Sequence, residues 1–169
     1  DFSGDARFIA ARGREDGRYA GAVTFLRGSE PFASLAVRAR GGDGVLIGEV
    51  NLKFVWDVVA RERIGVAGVA YVIDAHGQLI SHPDISRVLR HSDLSQRPQV
   101  RAALDAVAGT TPAPSLGRGD DGESVLAAAA PIGGWGWTTL AELPAREALL
   151  PVYRGLFRSM VLVLLGIVA

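Results

Sequence analysis

The 169-residue sequence contains no cysteine, which excludes disulfides, thiol catalysis and cysteine-ligated metals and leaves the redox compartment undetermined. Lysine is nearly absent as well: Lys53 stands alone, and every other basic residue is arginine. Net charge is also missing. The 18 basic residues are matched by 18 acidic ones, so the chain lacks the basic excess that a nucleic-acid partner demands. There is no glycine-rich phosphate loop, no HExxH and no GxSxG pattern. Nor is there a long apolar run. Residues 160–169 are uniformly apolar, but they make up about half of the roughly 20 residues that a spanning helix requires. That run ends with the sequence, and Asp1 is not an initiator methionine, so we expect a fragment whose last helix enters a membrane.

What is present supports a packed core, with 49% hydrophobic and 21% charged residues. Residues 68–83 form its clearest stretch. Val69, Ala70, Tyr71, Val72 and Ile73 read as a buried strand, Asp74 to Gly77 as a tight reversal, and Leu79 to Ser81 as the return strand, stopped by Pro83. Upstream, residues 1–18 are polar, mixed in charge and without a period, and are expected to be an exposed connection. Residues 21–26, 33–39 and 45–50 read as three strands of an antiparallel meander, with turns at 28–31 and 41–44. Asn51 is a candidate helix N-cap, and Leu52, Val55, Trp56 and Val59 follow on one helical face. Downstream, residues 84–90 and 98–107 have short helical patterns, and a strand is expected near the middle of 108–122, before a turn at 119–122. Residues 123–130 and 136–142 read as the last two strands. Pro144 suits the first turn of a final helix, and Pro151 is expected to kink or restart it.

Residues 68–83, the segment from Asp93 to Ser95, and residues 136–140 (Gly, Trp, Thr, Thr, Leu) together resemble the membrane-proximal half of a double Cache domain. Cache domains are the PAS-like extracytoplasmic sensors of bacterial histidine kinases, nucleotide cyclases and chemoreceptors. The resemblance implies an α+β fold in which a PAS-like antiparallel five-stranded sheet carries flanking helices. It divides the chain into a partial membrane-distal lobe with a connecting helix (1–64), a membrane-proximal lobe (65–143) and a signalling helix leading into a truncated transmembrane segment (144–169). It also implies a periplasmic or extracellular domain of an inner-membrane receptor, a two-component or similar system, with a small-molecule ligand, a homodimer and a membrane as partners. No cofactor and no catalytic residue is implied for this segment.

Of the three histidines, His76 lies in the turn and is expected to be solvated. His82, at a strand end, could donate to an anionic or carbonyl group of a ligand. His91 with Asp93 lacks a third ligand, so no metal is expected. Ser81, His82 and Asp84 do not make a triad, because neighbouring strand residues point to opposite faces. Trp135 and Trp137 would share a face of a strand, Tyr71 is suited to a pocket wall, and Glu49 is acidic on an apolar segment. The candidate ligand-binding residues are therefore Tyr71, His82, Trp137 and Glu49. Two other readings remain: a ligand-free dimerisation domain joined through residues 149–165, and a hydrolase using His82 with Asp84 or Glu49.

Overall fold

The structure, a computed structural model, describes residues 4–26, 30–41, 44–62, 64–106 and 111–168; at 25, 26, 60, 153, 154 and 160–168 it describes the backbone alone. A first sheet has the order β1-β2-β3, with β1 at Arg18–Leu26, β2 at Glu30–Arg38 and β3 at Val45–Asn51. This is the expected meander. Its two turns fall largely on 28, 29, 42 and 43, outside the described residues, and Glu30 and Pro31 already belong to β2.

The expected exposed connection before Arg18 is corrected by a helix, α1 (Ala6–Gly13). The Asp5 carboxylate caps it, accepting from the Arg7 backbone N–H at 2.8 Å. The Arg7 guanidinium folds back onto Asp5 and also reaches Ser34 Oγ of β2 at 3.0 Å. Capping and a tertiary anchor thus make a helix where periodicity gives no sign of one.

Helix α2 (Lys53–Arg61) follows β3. Its N-cap position is Leu52, one residue beyond the expected Asn51, yet Asn51 Oδ1 still accepts from the Lys53 N–H at 2.8 Å. Leu52, Trp56 and Val59 are buried and Asp57 is exposed, as an amphipathic helix requires.

The second sheet has five antiparallel strands in the order β5-β4-β8-β7-β6. They are β4 (Val69–Ile73), β5 (Leu79–Ser81), β6 (Ser115–Arg118), β7 (Ser124–Ile132) and β8 (Trp137–Pro144). Between β5 and β6 run two short helices, α3 (Ile85–Leu89) and α4 (Pro98–Leu104). Val107, expected in α4, lies outside the described residues. The last helix, α5 (Ala145–Val168), begins at the residue after β8 ends. Pro144 therefore closes a strand, paired with Val125, and does not open a helix. Pro151 does not restart α5 either. It removes one backbone donor, and 24 residues of helix run through that loss.

The two faces of this sheet bury separate clusters. Tyr71, Ile73, Leu79 and Leu140 pack with Val88 of α3 and Val100 of α4. Val72, Ile80 and Trp137 pack with Leu52, Val59 and Ala33, so α2 is shared between the two sheets. Each of the Val, Leu and Ile side chains among them contributes roughly 1.5–3 kcal/mol when fully buried.

Candidate functional site

The site begins at the β4–β5 hairpin. Asp74 Oδ1 accepts from the backbone N–H groups of His76 (2.8 Å) and Gln78 (2.9 Å), and Gly77 takes a φ of 85°. Ile73 pairs with Leu79 but Val72 pairs with Ser81, so Ile80 is an extra residue in the edge strand. Trp56 Nε1 donates to the Ile80 carbonyl at 2.8 Å and holds this irregularity. The shift turns His82 toward Tyr71, with ring centroids 6.1 Å apart and planes tilted by 43°.

Beside these rings lies a buried polar network. Glu142 of β8 is only 3% exposed. Its Oε1 accepts from the Tyr71 hydroxyl and from Gln99 Nε2, the latter at 2.9 Å. Gln99 also donates to the Arg118 carbonyl at 2.9 Å and accepts from the Arg118 N–H at 3.3 Å, which ties α4 to β6. Gly117 is required here, because a Cβ at 117 would stand 2.3 Å from Gln99 Oε1. Burial first, then the charge and hydrogen bond of Glu142, push the Tyr71 phenol well above its usual value, so it stays a donor.

Toward solvent the network becomes charged. Arg87 of α3 and Arg97, just before α4, each hydrogen-bond one oxygen of Asp120 in the β6–β7 turn. Burial acts to raise the Asp120 carboxyl, but the hydrogen bonds and charges of Arg97 and Arg87 outweigh it and hold it below the usual range. His82 Nδ1 accepts from the Asp84 N–H at 2.9 Å, and Arg87 Nη1 stands 3.0 Å from its Nε2. Burial, then the Arg87 charge, lowers the imidazole below its usual value.

Of the four candidate residues from the sequence, the structure brings Tyr71 and His82 together. Trp137 is on the other face of the same sheet, packed near Val72 and Ile80. Trp135 joins that cluster from the turn before β8, under the Arg18 guanidinium, which sits 5.8 Å from its ring centroid. Glu49 is exposed on β3, where with Arg7 and Phe8 it lines a concavity of about 530 Å³. His82 also borders a cleft of about 370 Å³ that Lys53, Asp57 and Glu30 share. Sequence reasoning missed Glu142, Gln99, Arg87, Arg97 and Asp120. Glu142 carried a legible signal, since it lies two residues after Leu140 and so falls in phase with the buried side of β8. Among the described residues no cluster of three or more His, Asp or Glu could hold a metal.

A second feature joins this sheet to the rest. The Glu147 carboxylate, in the first turn of α5, accepts from the backbone N–H groups of Val66 (2.6 Å) and Ala67 (3.1 Å), in the segment between α2 and β4. Gly65 has a φ of 62°, and a Cβ there would lie 2.3 Å from Glu147 Oε1. Leu149, Leu150, Val152, Leu156 and Phe157 of α5 are exposed. Among the described residues no helix is long and apolar enough to cross a membrane.

The two sheets and their flanking helices make the α+β, PAS-like fold of a Cache-type sensor domain. The extracellular domain of mmHK1S-Z3, described as a histidine kinase, superposes with a TM-score of 0.67 at 18% identity, over 89% of this chain and 58% of that one. The ligand-binding domain of the Pseudomonas aeruginosa amino-acid chemoreceptor PctC, solved with GABA, gives 0.57 at 20% identity, over 82% and 60%. The periplasmic sensory domain of the Campylobacter jejuni chemoreceptor Tlp1 gives 0.60 at 16% identity, over 82% and 53%. The chain thus spans between 53% and 60% of the length of these three domains. At such identities the likeness is one of fold. No protein-family model and no curated protein sequence matches the chain.

Proposed function

We propose that this chain is the extracytoplasmic sensory part of a membrane receptor, of the histidine-kinase or chemoreceptor sort, that binds a small molecule and relays the event through α5. In this reading residues 1–64 belong to a membrane-distal lobe, 65–143 form the membrane-proximal lobe, and 144–169 lead to the inner membrane. This segment is then not an enzyme, and its output domain lies elsewhere in the receptor. The observation that carries the proposal is the Glu147 clamp. It fastens the start of the output helix to the backbone between the two sheets, so a movement between them is felt by α5 directly. The fold adds support, since the solved domains sharing it include a chemoreceptor's periplasmic sensory domain, a chemoreceptor's ligand-binding domain and the extracellular domain of a protein described as a histidine kinase. A ligand shifts such an equilibrium only through different affinities for the two states.

The exposed apolar face of α5 favours a second reading, in which the domain takes no ligand and serves to dimerise a membrane protein. One experiment separates the two. Thermal melting is followed against amino acids, organic acids and purines, with sedimentation in parallel. A rise in Tm with one class supports sensing. A blank screen on a well-folded protein that self-associates supports the second reading and sinks the first.

A further inference from the structure

The charged pole of the five-stranded sheet is arranged as a binding site is. The side chains of Arg87 and Arg97 are 14% and 21% exposed, whereas the Asp120 side chain that bridges them is 50% exposed. Two sunken cations thus hold one carboxylate presented from the solvent side. That carboxylate comes from a turn that does not depend on it. The turn is closed by its own backbone, with Gly119 N–H to the Glu123 carbonyl (2.9 Å) and Gly122 N–H to the Gly119 carbonyl (3.2 Å).

Donors also outnumber acceptors. A neutral imidazole has one donor and one acceptor nitrogen, yet both nitrogens of His82 face N–H groups, those of Asp84 and Arg87. Two guanidiniums offer ten N–H bonds between them, and the acceptor they share has two oxygens. A purely structural ion pair needs only one arginine. Two arginines, one on α3 and one just before α4, converging on one carboxylate beside a histidine, match the geometry for gripping a planar carboxylate from two sides.

We propose that Arg87 and Arg97 form a binding site for small carboxylate anions, and that Asp120 occupies it from within and is displaced by the ligand. This deepens the sensory reading by naming a ligand class and rests on it for biological meaning. It also places a site on the sheet that continues into α5. Asp120 acts as an intramolecular competitor, so the apparent affinity of the wild-type chain equals the intrinsic affinity reduced by the fraction of time the turn is open.

The test uses the full chain with succinate, acetate and inorganic sulfate as probes, read by calorimetry. Asp120→Asn keeps the shape of the side chain and removes its charge. The expected result is succinate affinity at least about tenfold tighter than wild type, since the competitor is gone, and abolished again by adding Arg97→Gln. Equal affinity in wild type and Asp120→Asn overturns the proposal, as does binding that survives Arg97→Gln. Sulfate binding as well as succinate overturns the carboxylate assignment. Should Asp120→Asn fail to fold, the arginine Nε–Hε resonances of the wild-type chain decide. Shifts at Arg87 and Arg97 on adding succinate support the site, and unchanged resonances reject it. Hydrogen exchange at residues 64–68 keeps the two readings apart. Succinate that binds without altering it leaves this site standing and removes the relay, and a ligand of another class that alters it while succinate is inert does the reverse.

Discussion

Tyr71 illustrates how one hydroxyl can decide a site. It donates to a carboxylate that is otherwise bonded by Gln99 and lies almost wholly out of water. Tyr71→Phe keeps the ring and its packing but strips a donor from buried Glu142. We expect a loss of about 1–3 kcal/mol, measured by urea unfolding at neutral pH. The sequence already marked Tyr71 and His82, because both belong to a hairpin whose turn chemistry is local. It did not show that they meet. Their approach depends on the extra residue at Ile80, and a single displaced pairing leaves no trace in composition or period. The charged residues are harder still to read, because Arg87 and Asp120 are 33 positions apart, and Tyr71 and Glu142 are 71. Only closure of the sheet and the seating of α3 and α4 bring them together.

At the level of elements, strands were more legible than helices. The meander and the five-stranded sheet follow from alternation and turn residues, which are written locally. Helix α1 was invisible because its cap works with an anchor on β2, a tertiary contact. The start of α5 was misplaced by one residue because Pro144 satisfies a strand end as well as a helix start. Glu147 gives this helix its most testable property. Glu147→Ala leaves the N–H groups of Val66 and Ala67 without their carboxylate, and we expect a cost of roughly 0.5–1.5 kcal/mol for these solvent-exposed bonds. Amide exchange at 66 and 67 should speed up far more than exchange in β7. Unchanged protection there would mean that the clamp holds nothing.

For the whole molecule, the titrating groups predict how acid undoes the fold. The His82 imidazole is held below 6.5 by burial and by Arg87, so the unfolded chain takes up a proton that the native chain refuses. The stability this provides is full above pH 6.5 and falls as the pH drops toward the lowered native value. Asp5, brought to about 2 by its bonds with Arg7, contributes stability above 3.8 that is lost as the pH falls through the native value. Asp84, Asp93 and Asp120 are shifted the same way. Chemical denaturation between pH 8 and 2 should therefore show two stages of decline, and His82→Gln should erase the first while leaving the second. A single stage in the wild-type chain would contradict the burial of His82.

β8 sits at the centre of its sheet, bonded to β4 on one side and β7 on the other, and α5 starts at the very next residue. No slack chain stands at that junction to absorb a displacement. A slide of the strand by a fraction of an ångström is inherited whole by the helix, whereas a pair of flexible glycines spliced in after Pro144 would soak it up.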